Sequence, residues 1–169
     1  MNSTILNNSA RFLFLLLLQI VVFNNVNLFG FINPFPYVLF IILFPVNANK
    51  NVLLISSFSL GLLLDVFLNS GGVHATACVF LAFVRPYLFK ISFGLSYEYQ
   101  TVRLNDVLTP ERFSFILFCV VIHHFVLFLL EIFSVSFIWE IGIRTLASTL
   151  LTIVLCILII YLIKPNKQR

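Results

Sequence analysis

The chain has 169 residues, of which 61% are hydrophobic and only 9% are charged, with a formal net charge of +4. Soluble domains carry about 25% charged residues, and a chain of this size that folded in water would leave about 30% of its surface exposed. So much apolar surface cannot be hidden in one aqueous core. The composition therefore excludes a soluble enzyme, a nucleic-acid-binding domain, a disordered tail and a disulfide-stapled secreted domain, and it predicts a membrane protein.

Polar breaks divide the sequence into six apolar runs. A transmembrane helix needs about 20 mostly apolar residues, and backbone groups in hydrocarbon must bond within the segment. The runs lack the alternation that is typical of barrel strands. The sequence therefore predicts an all-α polytopic membrane protein, a single domain over 1–169, with six transmembrane helices at about 11–29, 35–46, 52–68, 73–89, 111–133 and 141–163.

The second run is the least regular, because it is short and bracketed by Pro34, Pro36 and Pro45. A run of about twelve residues is closer in length to a re-entrant or buried segment than to a full span. Without this crossing, five spans would remain and the amino terminus would lie outside. We prefer six, with both termini cytoplasmic, because all but one of the cations then lie at cytoplasmic ends, as the positive-inside rule requires: Arg11, Lys50, Arg85, Lys90, Arg103, Arg112, Lys164, Lys167 and Arg169.

Two local patterns predict how helices begin. Thr109 can cap the fifth span, with Pro110 at the first helical position and Glu111 on the positive end of the helix dipole. Between spans three and four, the glycines of Asn69-Ser70-Gly71-Gly72 can adopt the positive φ that a tight turn needs.

The sequence contains no pattern for enzyme chemistry. It has no HExxH motif, no GxSxG elbow, no P-loop and no Rossmann glycine fingerprint. The three cysteines, Cys78, Cys119 and Cys156, form no CxxC pair and no metal-ligand spacing, which is typical of small buried side chains. We expect no enzymatic activity, no catalytic residue, no metal and no cofactor.

Ionisable residues inside spans are costly unless paired, so each is a candidate site. Asp65 follows Gly61 by one helical turn, which predicts a polar contact at a close helix interface; the alternative is a carboxylate that reaches outer water. We hypothesise that Arg144 bridges Asp65 or Glu131 inside the bundle, and an ordinary rim pair with Glu140 is the alternative.

The remaining candidates are histidines and an Arg-Pro pair. His124 lies on one face of span five with Glu131, so Asp65, His124, Glu131 and Arg144 form a possible buried polar cluster. His123 and His124 are interpreted as a hydrogen-bonded interior pair, because the inner half of the span offers no carboxylate for a proton relay. His74 is expected to cap or tether the Gly71-Gly72 turn. Arg85 is expected to extend to lipid headgroups, and Pro86 to end or kink its helix.

Several stretches of the chain resemble one known family. They are Asn2-Ser3, Arg11-Phe12, Ile32-Asn33-Pro34, the longer stretch from Gly61 to Ala75, and Arg85-Pro86. With six spans in a chain of this length, they resemble the rod shape-determining protein MreD family in its short Bacteroidota-like form. The layout agrees from end to end, and the specific part is about residues 55–90.

The resemblance implies a cytoplasmic-membrane protein of the bacterial cell-wall elongation machinery, with six helices similar to the S components of energy-coupling-factor transporters. It implies a non-enzymatic scaffold that partners the bitopic protein MreC and, through it, an MreB filament and the wall polymerase–transpeptidase pair. The residues expected to serve helix packing or partner docking are Gly61, Asp65, Gly71, Gly72, His74, Arg85 and Pro86. The alternative is a small-molecule binding or transport component, which would need a closed polar cavity that opens outward and is lined by residues such as Asp65, Glu131, Arg144 and His124.

Overall fold

The structure is a computed structural model that describes residues 2–94 and 108–163, the side chains of 2–4 and 135 excepted. Short 3₁₀ turns lie at Phe23–Asn25, Pro36–Val38 and Val135–Phe137. The α-helices of the described ranges are α1 (Asn2–Val21), α2 (Leu39–Ile42), α3 (Lys50–Leu68), α4 (Val73–Phe93), α5 (Pro110–Ile132) and α6 (Ile138–Ile163). The cations predicted at 103, 164, 167 and 169 lie outside the described residues.

Five helices of the described ranges are long and apolar enough to cross a membrane: α1 with the turn after it, α3, α4, α5 and α6. The prediction of an all-helical, polytopic membrane protein is confirmed at this level. Along the chain, α3 packs on α4, α4 on α5 and α5 on α6, while α1 contacts α3.

The first two predicted spans differ from the observed elements. α1 begins at Asn2 and ends at Val21, so Arg11 lies in the middle of the helix and not at its start. The prediction of a second transmembrane helix over 35–46 is wrong, because this stretch contains only a 3₁₀ turn and the four-residue α2. Pro34 and Pro36 have no N–H group and restrict the residues before them, and Pro45 follows α2, so no long helix can form.

Residues 33–44, called here the central segment, form the core of the bundle. Every side chain from Phe35 to Phe44 is buried, and Tyr37, Val38, Leu39, Ile41 and Ile42 have no exposed surface. The segment contacts α1, α3, α4 and α6 directly. The ring of Phe35 packs on two rings of α5, those of His124 and Phe128. The centre is therefore filled by the chain itself.

Hydrogen bonds fix the direction of the central segment relative to α1. Gln19, near the end of α1, donates from Nε2 to the carbonyl of Pro34 at 3.2 Å. Arg11, two turns earlier in α1, donates from Nη1 to the carbonyl of Leu43 at 2.9 Å. The central segment consequently runs antiparallel to α1.

The same segment runs parallel to α4. Tyr37 meets His74 at the start of α4, and the carbonyl of Phe44 meets Arg85 three turns later. Because α3 and α4 form an antiparallel hairpin, α1 and α3 point the same way.

Lys50, Lys90 and Arg112 then lie at one end of the bundle, which we call the basic end. The opposite, acidic end carries Asp65, Glu131, Glu140 and the single described cation Arg144.

The sequence predicts the close contact between α3 and α4. A Cβ built on Gly61 would lie 2.5 Å from the Cα of Ala75 and 2.6 Å from the carbonyl oxygen of His74, so only glycine permits this approach. The turn between the helices has positive φ at Asn69 (53°), Gly71 (67°) and Gly72 (96°), as its sequence predicts.

α5 begins as predicted. The Thr109 Oγ1 accepts from the backbone N–H of Arg112 at 3.4 Å, Pro110 is the first helical residue, and Glu111 lies in the first turn. α4 ends at Phe93, four residues beyond the predicted end of the span, and Pro86 lies inside it, so the proline does not end the helix. Proline removes one backbone donor from the ladder, but the helix on either side is maintained.

Candidate functional site

The irregular backbone of the central segment is satisfied by side chains from the surrounding helices. At its start, Ser148 Oγ of α6 accepts from the N–H of Asn33 at 3.2 Å, and Thr152 Oγ1 accepts from the N–H of Phe35 at 3.1 Å. Gln19 of α1 donates to the Pro34 carbonyl in the same region. Non-helical backbone at membrane depth is tolerated only where protein or water satisfies it, and these three side chains supply such bonds.

Two arginines satisfy the other end of the segment. Arg85 Nη2 donates to the carbonyl of Ile42 at 3.2 Å and also to that of Phe44, while Arg11 donates to Leu43. Ile42 ends α2 and the other two residues follow it, so these carbonyls need partners from outside the helix. The interpretation of Arg85 as a side chain that extends to headgroups therefore needs correction, because the residue is only 5% exposed and its guanidinium binds the central segment.

A buried aromatic and histidine cluster surrounds Tyr37. Its hydroxyl lies 2.8 Å from Nδ1 of His74 and 2.9 Å from Nε2 of His123. A tyrosine hydroxyl has one proton, so it donates to one ring nitrogen and accepts from the other, which must carry its own proton. His74 thus ties the start of α4 to the central segment and to α5.

His124 belongs to a separate chain of hydrogen bonds. Its Nδ1 lies 2.7 Å from the carbonyl of Val120, an acceptor only, so Nδ1 carries the proton and Nε2 accepts from the Thr152 hydroxyl at 3.2 Å. Thr152 in turn accepts from the N–H of Phe35. Both histidines of α5 have no exposed surface. They bond to different residues, and neither bonds to Glu131.

Asp65 closes the α3–α4 hairpin. Its Oδ1 accepts from the backbone N–H of His74 at 2.9 Å and from the Ser70 hydroxyl, and its Oδ2 accepts from the N–H of Ala75 at 2.8 Å. These N–H groups belong to the first turn of α4, which has no acceptor within the helix. The negative charge also complements the positive end of the helix dipole. Asp65 is 6% exposed and acts as an anionic cap supplied by the neighbouring helix.

Only two of the four residues of the predicted polar cluster come together. Arg144 forms the hypothesised ion pair with Glu131 at 3.8 Å, and it also pairs with Glu140, one turn earlier, at 2.7 Å. Its side chain is 24% exposed, so this is a pair at the rim, worth about 0.2–0.5 kcal/mol. Asp65 and His124 bind the separate partners described above, and no ion pair joins Asp65 to Arg144 within the described part of the chain.

A cavity of about 370 Å³ opens at the acidic end, next to the Tyr37 cluster. Its walls carry the amide side chains of Asn24, Asn27 and Asn33 together with His74 and Glu131, and Phe35 forms part of its lining. Gly71, Gly72 and Pro86 contribute no functional group to this site; the two glycines form the turn above it.

Sequence reasoning missed Tyr37, Gln19 and the hydroxyl groups of α6. The sequence does contain a signal for the hydroxyl groups of α6, because they recur at the spacing of one helix face. All of them are buried: Thr145, Ser148, Thr149 and Thr152. Such a stripe in an apolar helix predicts a polar partner across the interface. Tyr37 and Gln19 stand alone in their runs and carry no comparable pattern.

Comparison with models of protein families, with curated proteins and with solved structures found no match for this chain. The fold and the composition together define its class. It is a helical, polytopic membrane protein. Its centre is filled by the irregular central segment, whose backbone groups bond to side chains of the surrounding helices.

Proposed function

We propose that this protein is a non-enzymatic scaffold of the bacterial cell-wall elongation machinery, similar to the MreD family, and that it binds a bitopic MreC-like protein in the cytoplasmic membrane. The indirect partners are then an MreB-like filament and the wall polymerase–transpeptidase pair. The stretch 61–75 that carries the resemblance is one contact unit in the fold, since Gly61 and Asp65 both bind the start of α4.

The observation that carries the proposal is the filled centre of the bundle. A transport or ligand-binding component needs an enclosed cavity among its helices, whereas here Phe35, Tyr37 and Phe40 occupy that space. A protein with a packed centre offers its outer surfaces for function, and in lipid those surfaces recognise other helices by close packing of small residues.

One outer surface suits a partner's transmembrane helix. A groove of about 530 Å³ lies between α3 and α4, and its lining includes Ala75, Thr76, Val79 and the rings of Phe58 and Phe83. It adjoins the contact between Gly61 and Ala75, so it is formed by the stretch that carries the family resemblance. We assign this groove to the single transmembrane helix of the MreC-like partner.

Filling the groove is expected to break this association. We predict that Thr76→Trp lowers co-purification of the MreC-like protein from mildly solubilised membranes by about tenfold, the effect of roughly 1.4 kcal/mol of overpacking. Rod-shaped cells that depend on this chain should become round. Phe67→Trp is the matched control, because Phe67 is 61% exposed and does not line the groove. Equal recovery of the partner with both variants would refute the assignment.

We also propose that the central segment is a sixth crossing, as in the S-component fold, with both termini and the basic end in the cytoplasm. This proposal is supported by the parallel directions of α1 and α3, which require the chain to return between them. Charge placement supports the orientation, because the described cations Lys50, Lys90 and Arg112 lie at one end.

Thiol labelling of intact cells tests the topology. We expect a membrane-impermeant maleimide to label Asn25→Cys but neither Ser3→Cys nor Asn51→Cys, because only the first lies on the outer side. The native cysteines give little background, since Cys78, Cys119 and Cys156 are fully buried. If residues 25 and 51 label from the same side, the central segment does not cross.

The alternative function, small-molecule binding of the S-component type, is favoured by the cavity at the acidic end. Six polar residues line that cavity: Asn24, Asn27, Asn33, Ser70, His74 and Glu131. A small molecule that stays bound to the purified protein in native mass spectrometry, and is lost with Asn33→Ala, would support this alternative.

A further inference from the structure

A second cavity, of about 240 Å³, opens at the basic end of the bundle. It lies between the start of α3, the second half of α4 and the turn after the central segment. Its walls are mostly apolar, with Phe44, Val46, Leu53 and Phe89 among them. Cavities for drug-sized ligands measure about 300–1,000 Å³, so this one suits a compact group.

Three cations line this cavity: Lys50, Arg85 and Lys90. No carboxylate of the described residues belongs to its lining. The described acids Asp65, Glu131 and Glu140 lie at the opposite end, and Glu111, in the first turn of α5, does not line this cavity. The cavity therefore combines concentrated positive charge with apolar walls.

The buried guanidinium of Arg85 has no anionic partner among the described residues. Arg85 is 5% exposed, and its Nη2 donates to the backbone carbonyls of Ile42 and Phe44, which are neutral. Its Nε has no acceptor, and no carboxylate within the described ranges pairs with its guanidinium. A buried charge without a counterion is costly, and a ligand in the adjoining cavity would supply one.

We infer that this cavity binds the headgroup phosphate of an anionic phospholipid. The end of a membrane-embedded bundle lies at headgroup depth, where Lys50 and Lys90 reach the phosphate from the rim and Arg85 supplies charge from below. Basic pockets between transmembrane helices bind anionic headgroups in this way. The apolar walls accept the upper part of the acyl chains. The site does not depend on the proposed scaffold function, and only its leaflet, the cytoplasmic one, follows from the proposed orientation.

Competitive lipid binding tests the site. The purified chain in mild detergent is mixed with equal amounts of phosphatidylglycerol and phosphatidylcholine, and native mass spectrometry counts the lipids retained. We expect the wild type to retain phosphatidylglycerol preferentially. The double variant Lys50→Gln/Lys90→Gln should weaken its binding by roughly tenfold to thirtyfold, since each cation near a headgroup contributes a factor of about five.

Arg112→Gln is the matched control, because it removes a cation from the same end without touching the cavity. Equal binding of the two lipids, or equal loss with the control and the double variant, would overturn the inference. Displacement of phosphatidylglycerol by millimolar inorganic phosphate would show a free-anion site instead. The melting temperature without lipid checks the fold of each variant; if the double variant does not fold, Lys50→Gln alone, which changes an exposed side chain, gives the same comparison.

Discussion

Gly61→Ala should destabilise the bundle by about 3 kcal/mol or more, the upper range for overpacking, because the added methyl meets backbone and not a flexible side chain. The new Cβ would lie 2.5 Å from the Cα of Ala75 and 2.6 Å from its nitrogen, so α3 and α4 would have to separate along their whole contact. For a chain of this size, we expect the melting temperature in detergent to fall by roughly 6–12 °C.

The chain offers a matched control in another helix. A Cβ built on Gly142 of α6 meets nothing within 4 Å, although that glycine is helical too. Gly142→Ala should leave stability unchanged or raise it by up to about 1 kcal/mol, because alanine restricts the unfolded chain. If the two substitutions shift the melting temperature equally, the close approach of α3 and α4 is not a determinant of stability.

Asp65→Ala is expected to cost about 2–5 kcal/mol, because it leaves the N–H groups of His74 and Ala75 buried without an acceptor. The first turn of α4 should open locally as a result. Hydrogen–deuterium exchange measured by mass spectrometry should therefore show at least tenfold faster exchange in the peptide that begins α4, with little change in α6.

Ser70→Ala distinguishes the contribution of the Ser70 bond in the turn from that of the Asp65 bonds to the first turn of α4. It removes one bond to Oδ1 of Asp65 and leaves both backbone contacts intact, so a loss of about 1 kcal/mol is expected. Asp65→Asn, which keeps one acceptor oxygen, should fall between the two. A result in which Ser70→Ala matches Asp65→Ala would show that the carboxylate does not stabilise α4 through its N–H groups.

Local signals were sufficient for parts of the chain whose structure depends on neighbours in sequence. The cap at Thr109 and the turn at Gly71-Gly72 are examples, because a first helical turn and a positive φ are local requirements. Gly61 and Asp65 were recognised as a close, polar helix interface for the same reason, since they lie one turn apart. Their partner, the start of α4, follows directly after a short turn.

The central segment could be predicted only in part. Its prolines indicated an irregular, short run, but its place in the core depends on Gln19, Arg11, Arg85 and Thr152, which come from distant positions. Arg85 illustrates the difficulty. A cation near the end of a span usually extends toward headgroups. Nothing nearby in the sequence indicates that Arg85 binds the carbonyls of residues 42 and 44 instead.

The dependence of residues 33–44 on later parts of the chain has a consequence for biogenesis. Asn33 and Phe35 bond to hydroxyls of α6 that follow them by 115 and 117 residues in the chain. Until that helix is inserted, those amides have no partner and no lipid-stable conformation. The segment can therefore complete its hydrogen bonds, and take its place in the centre of the bundle, only after α6 has been inserted.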